Sequence, residues 1–508
     1  MPDSSPSAAG TGAHGRRATI GLFLGPLAAL TVWLLPLGVS PAAHGLAAIL
    51  ACVVIFWITE PIPIPATALL APVAAVLLGV AGAKEVFAPF AHPVIFLFIG
   101  SFLIAEAMTV HGLDRRIAFW VLTRRMIGES PGRILFAVGI LSAGLSLWVS
   151  NTATAAMMLP IAGGMLAALA HQSNDPATGR HSLPAGSSYG TGVMLMVAYA
   201  ASIGGLGTLI GTPPNLIGKG LISERLGVDI GFVRWMQFGM PIVLVTFFAL
   251  FSLLYFLHKP AVGTLRGAAA LLARQRAALG PMGRGERNAA VAFSVAVTLW
   301  LAPAALTLLG GTDSPLTRWY DAHLPEGVIA LLAAGLLFVL PVDWPTRRFT
   351  LSWEEAERID WGTILLFGSG LALGELMFKT GLSEAIGHGA VTWLGVDGLW
   401  AITGFAIATG IVLSELTSNT ASATMVIPVV IAIAESAGVS ALPPALGACL
   451  GASFGFMLPV STPPNAIVYG SGLVPIGRMI RAGVLLDVIG LVVIWSALRM
   501  LCPLLGFI

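Results

Sequence analysis

Apolar runs about as long as a bilayer is thick decide what this chain can fold into. A crossing helix needs about 20 such residues, because the hydrocarbon core is about 30 Å deep. Lipid offers no partner to a backbone N–H or C=O, so each run must close its hydrogen bonds within itself, as a helix. Eleven runs qualify, near 19–39, 43–60, 63–82, 93–110, 190–222, 236–257, 288–309, 325–341, 361–378, 443–470 and 480–500. Two further apolar regions, 134–170 and 399–435, each carry a polar tripeptide at the middle. Each is either two crossings or a re-entrant hairpin, and both options return the chain to the side it came from. Only 10% of the 508 residues are charged and 56% are hydrophobic, against about 25% charged in a soluble domain. This excludes a soluble globular protein, a disordered chain and a nucleic-acid binder. The formal net charge of +2 points to no partner. Cys52, Cys449 and Cys502 lie far apart in apolar stretches and read as packed thiols, not as a disulfide framework or metal motif.

Residues 1–18 are rich in Ser, Ala and Gly and include Arg16-Arg17. The apolar run that follows exceeds the roughly 7–15 residues of a signal-peptide core and ends in no convincing cleavage site. A disordered cytosolic tail and a first transmembrane helix are therefore expected. With the N-terminus in the cytoplasm, 19 of the 26 Lys and Arg fall on that side, as the positive-inside rule requires. They include Arg115, Arg116, Arg125, Arg180, Arg266 and Arg358. Eleven crossings then leave the C-terminus outside a cell (inner) membrane. The longest polar loop, about 258–287, reads as a basic cytosolic surface segment.

The chain also contains itself twice. Ser150-Asn151-Thr152-Ala153-Thr154-Ala155-Ala156-Met157-Met158-Leu159-Pro160-Ile161-Ala162 recurs 268 residues later, from Ser418-Asn419-Thr420 to Val430, with seven of thirteen positions identical. Gly211-Thr212-Pro213-Pro214-Asn215 recurs as Ser461-Thr462-Pro463-Pro464-Asn465, and Gly100-Ser101 as Gly368-Ser369. Five runs separate the two tripeptides. Five is odd, so the second copy enters the membrane from the opposite side. Such inverted-topology repeats build many secondary transporters, with the substrate site at matched breaks.

Each break has its own chemistry. Ser150 or Asn151 can cap a helix beginning near Thr152, leaving free N–H groups and a positive dipole end at the tip, a site for an anionic group. Ser418-Asn419-Thr420 offers the same from the other side. In the Thr-Pro-Pro-Asn segments the prolines cannot donate and restrict the preceding residue. Unwound carbonyls and an Asn oxygen suit a hard cation such as Na⁺. One break alone is as easily a kinked helix; four in two matched pairs point to a site.

These motifs, with Phe56-Trp57-Ile58-Thr59-Glu60-Pro61-Ile62-Pro63, resemble the divalent anion/sodium symporters, a family of di- and tricarboxylate carriers; the likeness spans most of the chain. The resemblance implies an all-α polytopic fold with about 11 transmembrane helices, two re-entrant hairpins and an elevator mechanism in a homodimer. It implies that Ser150, Asn151, Thr152, Thr212, Ser418, Asn419, Thr420, Thr462 and Pro463 contact a small-molecule dicarboxylate of the succinate, malate and fumarate class. It implies one Na⁺ site at Ser146, Ser150, Asn151 and Gly211, and a second at Ser414, Thr417, Asn419 and Ser461, some through carbonyls. The expected organisation is a tail (1–18), scaffold and connecting helices of repeat 1 (19–133), its transport part (134–222), linking and scaffold helices (223–398), the transport part of repeat 2 (399–470) and a last transmembrane helix (471–508).

Some relatives exchange dicarboxylates without sodium, and an inorganic oxyanion such as sulfate would suit the same fold. Lys219 is expected to snorkel to the outer surface. Glu106, Glu375 and Glu415 are functional candidates because they lie in or near apolar segments, with Glu415 placed to hold a hairpin tip. Gly451-Ala452-Ser453-Phe454-Gly455 matches a nucleophile-elbow pattern but sits in an apolar span rather than a strand–turn–helix. With no phosphate-binding loop or metal-spaced histidines, the chain does not read as an enzyme or an ATP-driven pump.

Overall fold

A computed structural model describes residues 8–124, 130–172, 187–259, 268–311, 314–394 and 398–508. Arg125, Arg180 and Arg266, counted above as cytosolic, lie outside these. The chain is helical almost throughout. It opens with α1 (Ala8–Leu34), α2 (Pro41–Thr59), α3 (Ile64–Leu77) and α4 (Ala83–Phe87). Next come α5 (Pro93–His111), α6 (Leu113–Leu122), α7 (Pro131–Ser146), α8 (Asn151–Gln172), α9 (Ser188–Gly205), α10 (Pro213–Leu226) and α11 (Phe232–Leu257). A middle section follows: α12 (Ala268–Ala278), α13 (Arg284–Gly310), α14 (Pro315–His323), α15 (Glu326–Val339), a small antiparallel pair β1 (Pro341–Asp343) and β2 (Arg348–Phe349), and α16 (Trp353–Ala356). The chain closes with α17 (Trp361–Lys379), α18 (Leu382–Leu394), α19 (Leu399–Leu416), α20 (Asn419–Ser436), α21 (Leu442–Gly451), α22 (Pro463–Gly470) and α23 (Ile476–Leu504).

Among the described residues nine helices are long and apolar enough to cross a membrane: α1, α2, α5, α11, α13, α17, α19, α20 and α23. Seven of them answer to expected spans; α19 and α20 are the arms of the second tripeptide region. The expected spans 190–222 and 443–470 are each two helices with an unwound stretch between, as the Pro-Pro pairs dictate. The expected spans 63–82 and 325–341 hold helices of only 14 residues, α3 and α15, the latter bent by 67° from α14. Helix α1 already starts at Ala8, which corrects the expectation of a disordered tail as far as residue 18.

The sequence duplication is carried by the elements. The order α5 to α11 recurs as α17 to α23, and the contacts recur with it: α7 on α9 and α19 on α21, then α9 on α11 and α21 on α23. Glycines allow both close crossings. A methyl on Gly204 would run into the carbonyl oxygen of Ala143, and one on Gly451 would lie 2.6 Å from that of Ile407. Helices in lipid approach closely through such small residues. The halves are tied together at Tyr199, fully buried on α9, whose hydroxyl donates to the carbonyls of Phe456 (2.6 Å) and Met479 (3.2 Å).

Candidate functional site

The two tripeptides form the turns between α7 and α8 and between α19 and α20. Both turns are closed the same way: Ser150 Oγ accepts from the Ala153 N–H and Ser418 Oγ from the Ala421 N–H, each at 3.2 Å. With the third N–H capped, the first two of each helix, on Asn151 and Thr152 and on Asn419 and Thr420, have no acceptor within the helix. The Thr-Pro-Pro segments start α10 and α22, with Thr212 and Thr462 at the caps. Four helix N-termini thus begin at one cavity of about 620 Å³. All nine residues named for substrate contact line it: Ser150, Asn151, Thr152, Thr212, Ser418, Asn419, Thr420, Thr462 and Pro463. None of the nine is basic. Their contribution to an anion is hydrogen bonds and the positive ends of four helix dipoles.

Behind the tips lie the residues named for cations. Ser146 Oγ is 2.5 Å from the Asn151 side-chain amide, which also faces the carbonyls of Ala201 at 3.1 Å and Gly211 at 3.3 Å. In the structure as it stands the amide nitrogen belongs there, its two N–H groups shared among the three acceptors. With a cation among them the amide oxygen belongs there, completing an oxygen cage of the kind hard cations take. The arrangement fits Na⁺ in this sense. The second half repeats it: Ser414 Oγ is 2.6 Å from Asn419 Oδ1 and 2.8 Å from the Ala452 carbonyl.

Two members of the second set point elsewhere. Thr417 donates its hydroxyl to the Trp57 carbonyl at 2.6 Å, pinning the tip to the end of α2. Ser461, where the first half has Gly211, donates to the Glu415 carboxylate at 2.5 Å. Their hydroxyl protons are thus committed to other groups. Glu415 also accepts from the Met457 and Leu458 N–H groups at 2.7 and 3.3 Å, so it holds the unwound stretch before α22 against the hairpin tip.

The asparagines of the Thr-Pro-Pro-Asn segments act mainly as braces. Asn215 Nδ2 donates to the carbonyls of Gly205 (2.9 Å) and Thr208 (2.7 Å). Asn465 Nδ2 donates to those of Gly455 (2.9 Å) and Leu458 (3.0 Å). Each spans the unwound stretch of its own half, and each has a buried Oδ1 that meets no donor.

Three charged residues complete the cavity wall: Glu106 on α5, and the exposed Arg358 and Asp360 ahead of α17. Arg358 and Asp360 were missed as site residues, because the tripeptides and breaks supplied the signal and neither residue lies in one. Glu375 pairs with Lys379 at 2.5 Å, one turn on, away from the cavity. Lys219 does not snorkel. Its side chain is 4% exposed and its Nζ lies 2.7 Å from Glu326 and 3.2 Å from Asp229.

A family model described as the sodium:sulfate symporter transmembrane region matches residues 17–508. The chain belongs to that family, the divalent anion/sodium symporters. It is 34% identical over 489 residues to the sodium-dependent dicarboxylate transporter SdcS of Staphylococcus saprophyticus, covering 95% of this chain and 91% of that one. It is 33% identical over 481 residues to the SdcS of Staphylococcus aureus strain USA300, covering 94% and 89%. Among solved structures it resembles the Alcanivorax borkumensis YdaH transporter at 14% identity and a TM-score of 0.48, covering 81% of this chain and 85% of that one. As a divalent anion/sodium symporter family member with this many apolar helices, the chain is an integral multi-pass membrane transporter.

Proposed function

We propose that the protein imports C4-dicarboxylates of the succinate, malate and fumarate class together with Na⁺, as an elevator-type homodimer with its N-terminus in the cytoplasm. One observation carries this reading: polar tips and helix N-termini from both halves line a single cavity whose polar contacts include no basic residue at the tips or breaks. Two tips facing one another suit an anion with two separated carboxylates. Taking two carboxylates out of water costs several kcal/mol each, and neutral donors return only about 0.5–1.5 kcal/mol apiece. Cations held at the Asn151 and Asn419 cages supply the missing charge, and each asparagine is shared between cage and cavity. Sodium therefore raises affinity for the dianion, and the dianion raises affinity for sodium by the same factor. The names of the SdcS relatives support sodium and dicarboxylate alike.

The arms of both hairpins end at the same cavity as the mid-span breaks. An arm that stops there does not reach the far surface, so 134–170 and 399–435 are read as re-entrant. The cavity mouth, at Arg358, then faces the cytoplasm.

The test is counterflow of labelled succinate in proteoliposomes. Uptake should saturate, require Na⁺, and be competed by malate and fumarate but not by sulfate. Uptake unchanged when choline replaces Na⁺ would overturn symport in favour of exchange; competition by sulfate alone would overturn the dicarboxylate assignment.

A further inference from the structure

The cavity lies toward one end of the molecule, where the exposed Arg358 and Asp360 line it, and the ion pair of Lys219 and Glu326 lies at the other, the closed end. Helices α5 and α15 run side by side in the same direction. A methyl on Gly327 would meet Pro93 and Leu97, and one on Gly100 would meet Ala330. Their N-termini therefore share one end of the molecule. The cavity is lined from the far half of α5, by Phe102, Glu106 and Thr109, and by Arg358. Lys219, on α10, meets Glu326 at the N-terminus of α15, at the closed end. The other oxygen of Glu326 accepts from the N–H of Phe232, which opens α11, at 3.0 Å. Glu326 is fixed in turn: its carbonyl accepts from Trp300 Nε1 of α13 at 3.2 Å.

This bridge joins the two parts that an elevator moves apart. Helix α10 follows a polar break and packs on α20 and α21, whereas α15 packs on α5 and α13, which carry no break. The other ionic contacts of α10 are different in kind: Lys219 also meets the exposed Asp229 just beyond the helix at 3.2 Å, the exposed Glu224 lies 3.9 Å from His92 at the start of α5, and Arg225 meets Glu435 on α20 at 2.8 Å, within the moving part. The bridge also occurs in one half only. The position matching Lys219 in the second repeat is Tyr469, which is 41% exposed. A contact repeated in both halves would favour opposite conformations equally; a contact present in one favours one.

We propose that Lys219–Glu326 is a latch that holds the transporter in the conformation closed at the Pro93 end and open at the Arg358 end. The proposal rests on the elevator reading. Opening the closed end separates Lys219 from Glu326 and leaves the buried cation only the exposed Asp229, and a buried charge that loses its nearer, less exposed partner is less favourable. Removing the latch shifts the population toward the alternate state.

The experiment uses full-length protein in proteoliposomes, with Cys52, Cys449 and Cys502 replaced by Ser and a reporter Ala156→Cys in the cavity wall. A membrane-impermeant thiol reagent is applied from the Arg358 side. Glu326→Gln should slow reporter modification at least about threefold, which is a shift of about 0.65 kcal/mol, while Arg225→Gln leaves it unchanged. An unchanged rate in Glu326→Gln overturns the latch. A second arm fixes the distance instead: Lys219→Cys with Glu326→Cys, bridged by a bifunctional thiosulfonate long enough to span the two side chains replaced, should stop transport reversibly while the reporter stays reactive to a reagent applied before bridging. Full transport with the pair crosslinked overturns the proposal. Crosslinks between α17, the counterpart of the unbroken α5, and α20, an arm of the second tip on which it packs, test the elevator separately. If those stop transport and the 219–326 crosslink does not, the latch alone fails; if neither stops it, the elevator fails too.

Discussion

Asn151 and Asn419 both line the cavity and both turn their amide toward a serine, Ser146 or Ser414, with the Ala201 and Gly211 carbonyls also facing Asn151. On the proposed function, removing either amide would delete one oxygen of a cage and one contact to the anion. Asn151→Ala and Asn419→Ala should each lower sodium-dependent succinate uptake by at least about tenfold, a coupling loss of about 1.4 kcal/mol or more. Surface expression and the elution profile in detergent should stay normal, because neither side chain carries core packing. Uptake at wild-type level in either variant would remove that asparagine from the site. A second residue-scale effect lies at the end of α11. His258 is 5% exposed there, with its ring 3.4 Å from Ser188 Oγ. Burial, reinforced by the nearby Arg478 and Arg481, holds its pKa down to about 4 from an ordinary 6.5. The unfolded chain therefore binds this proton first. The stabilising preference for neutral His258 is complete above about pH 6.5 and is lost as pH falls from there through about 4. The effect is on the order of 1–2 kcal/mol once solvent screening is allowed for. The melting temperature in detergent should drop less between pH 7.5 and 5 for His258→Gln than for wild type; equal drops would refute this.

At the scale of elements, the unwound stretches between α9 and α10 and between α21 and α22 are not slack. Each is crossed by the amide of Asn215 or Asn465, and each is packed from behind by a glycine crossing. Gly204→Ala and Gly451→Ala place a methyl against backbone, not against the end of a flexible side chain. Backbone cannot yield by a rotamer change, so α7 and α9, or α19 and α21, must separate. Overpacking of this kind costs about 1–3 kcal/mol. Both variants should melt at lower temperature and lose transport together with stability, whereas Gly477→Ala, which meets nothing within 4 Å, should do neither. An unaltered melting temperature in Gly204→Ala would show that the crossing is looser than this packing implies.

For the whole molecule, the proposed elevator divides helices with polar breaks, which would move, from helices without them. The broken set, α7 to α10 and α19 to α22, forms both tips; of the unbroken helices, α5 packs on α10, and α13 and α15 pack on α5. Helix α3 packs on α17, whose first turns line the cavity at Gly362, Thr363 and Leu366. Cysteine pairs joining α3 to helices of the broken set should lock uptake when oxidised and release it on reduction. Full-rate uptake with such a pair crosslinked would exclude rigid-body movement of one part against the other.

The sequence by itself determined the class of fold and the address of the site. Apolar runs of bilayer length permit nothing but helices, and the repeated Ser-Asn-Thr and Thr-Pro-Pro-Asn segments mark four places where a helix must start afresh. Those places are readable because proline and capping residues act on their own neighbours, so the signal is local. What remained hidden depends on contacts between distant segments. That all four breaks meet at one cavity, that Thr417 is committed to Trp57, 360 residues away, and that Arg358 stands at the mouth follow from packing alone. The same holds for Lys219. A lysine in an apolar helix next to a loop reads as one reaching for water. Only the parallel seating of α15 against α5 brings Glu326 within 2.7 Å of it and turns a solvated charge into a buried ion pair.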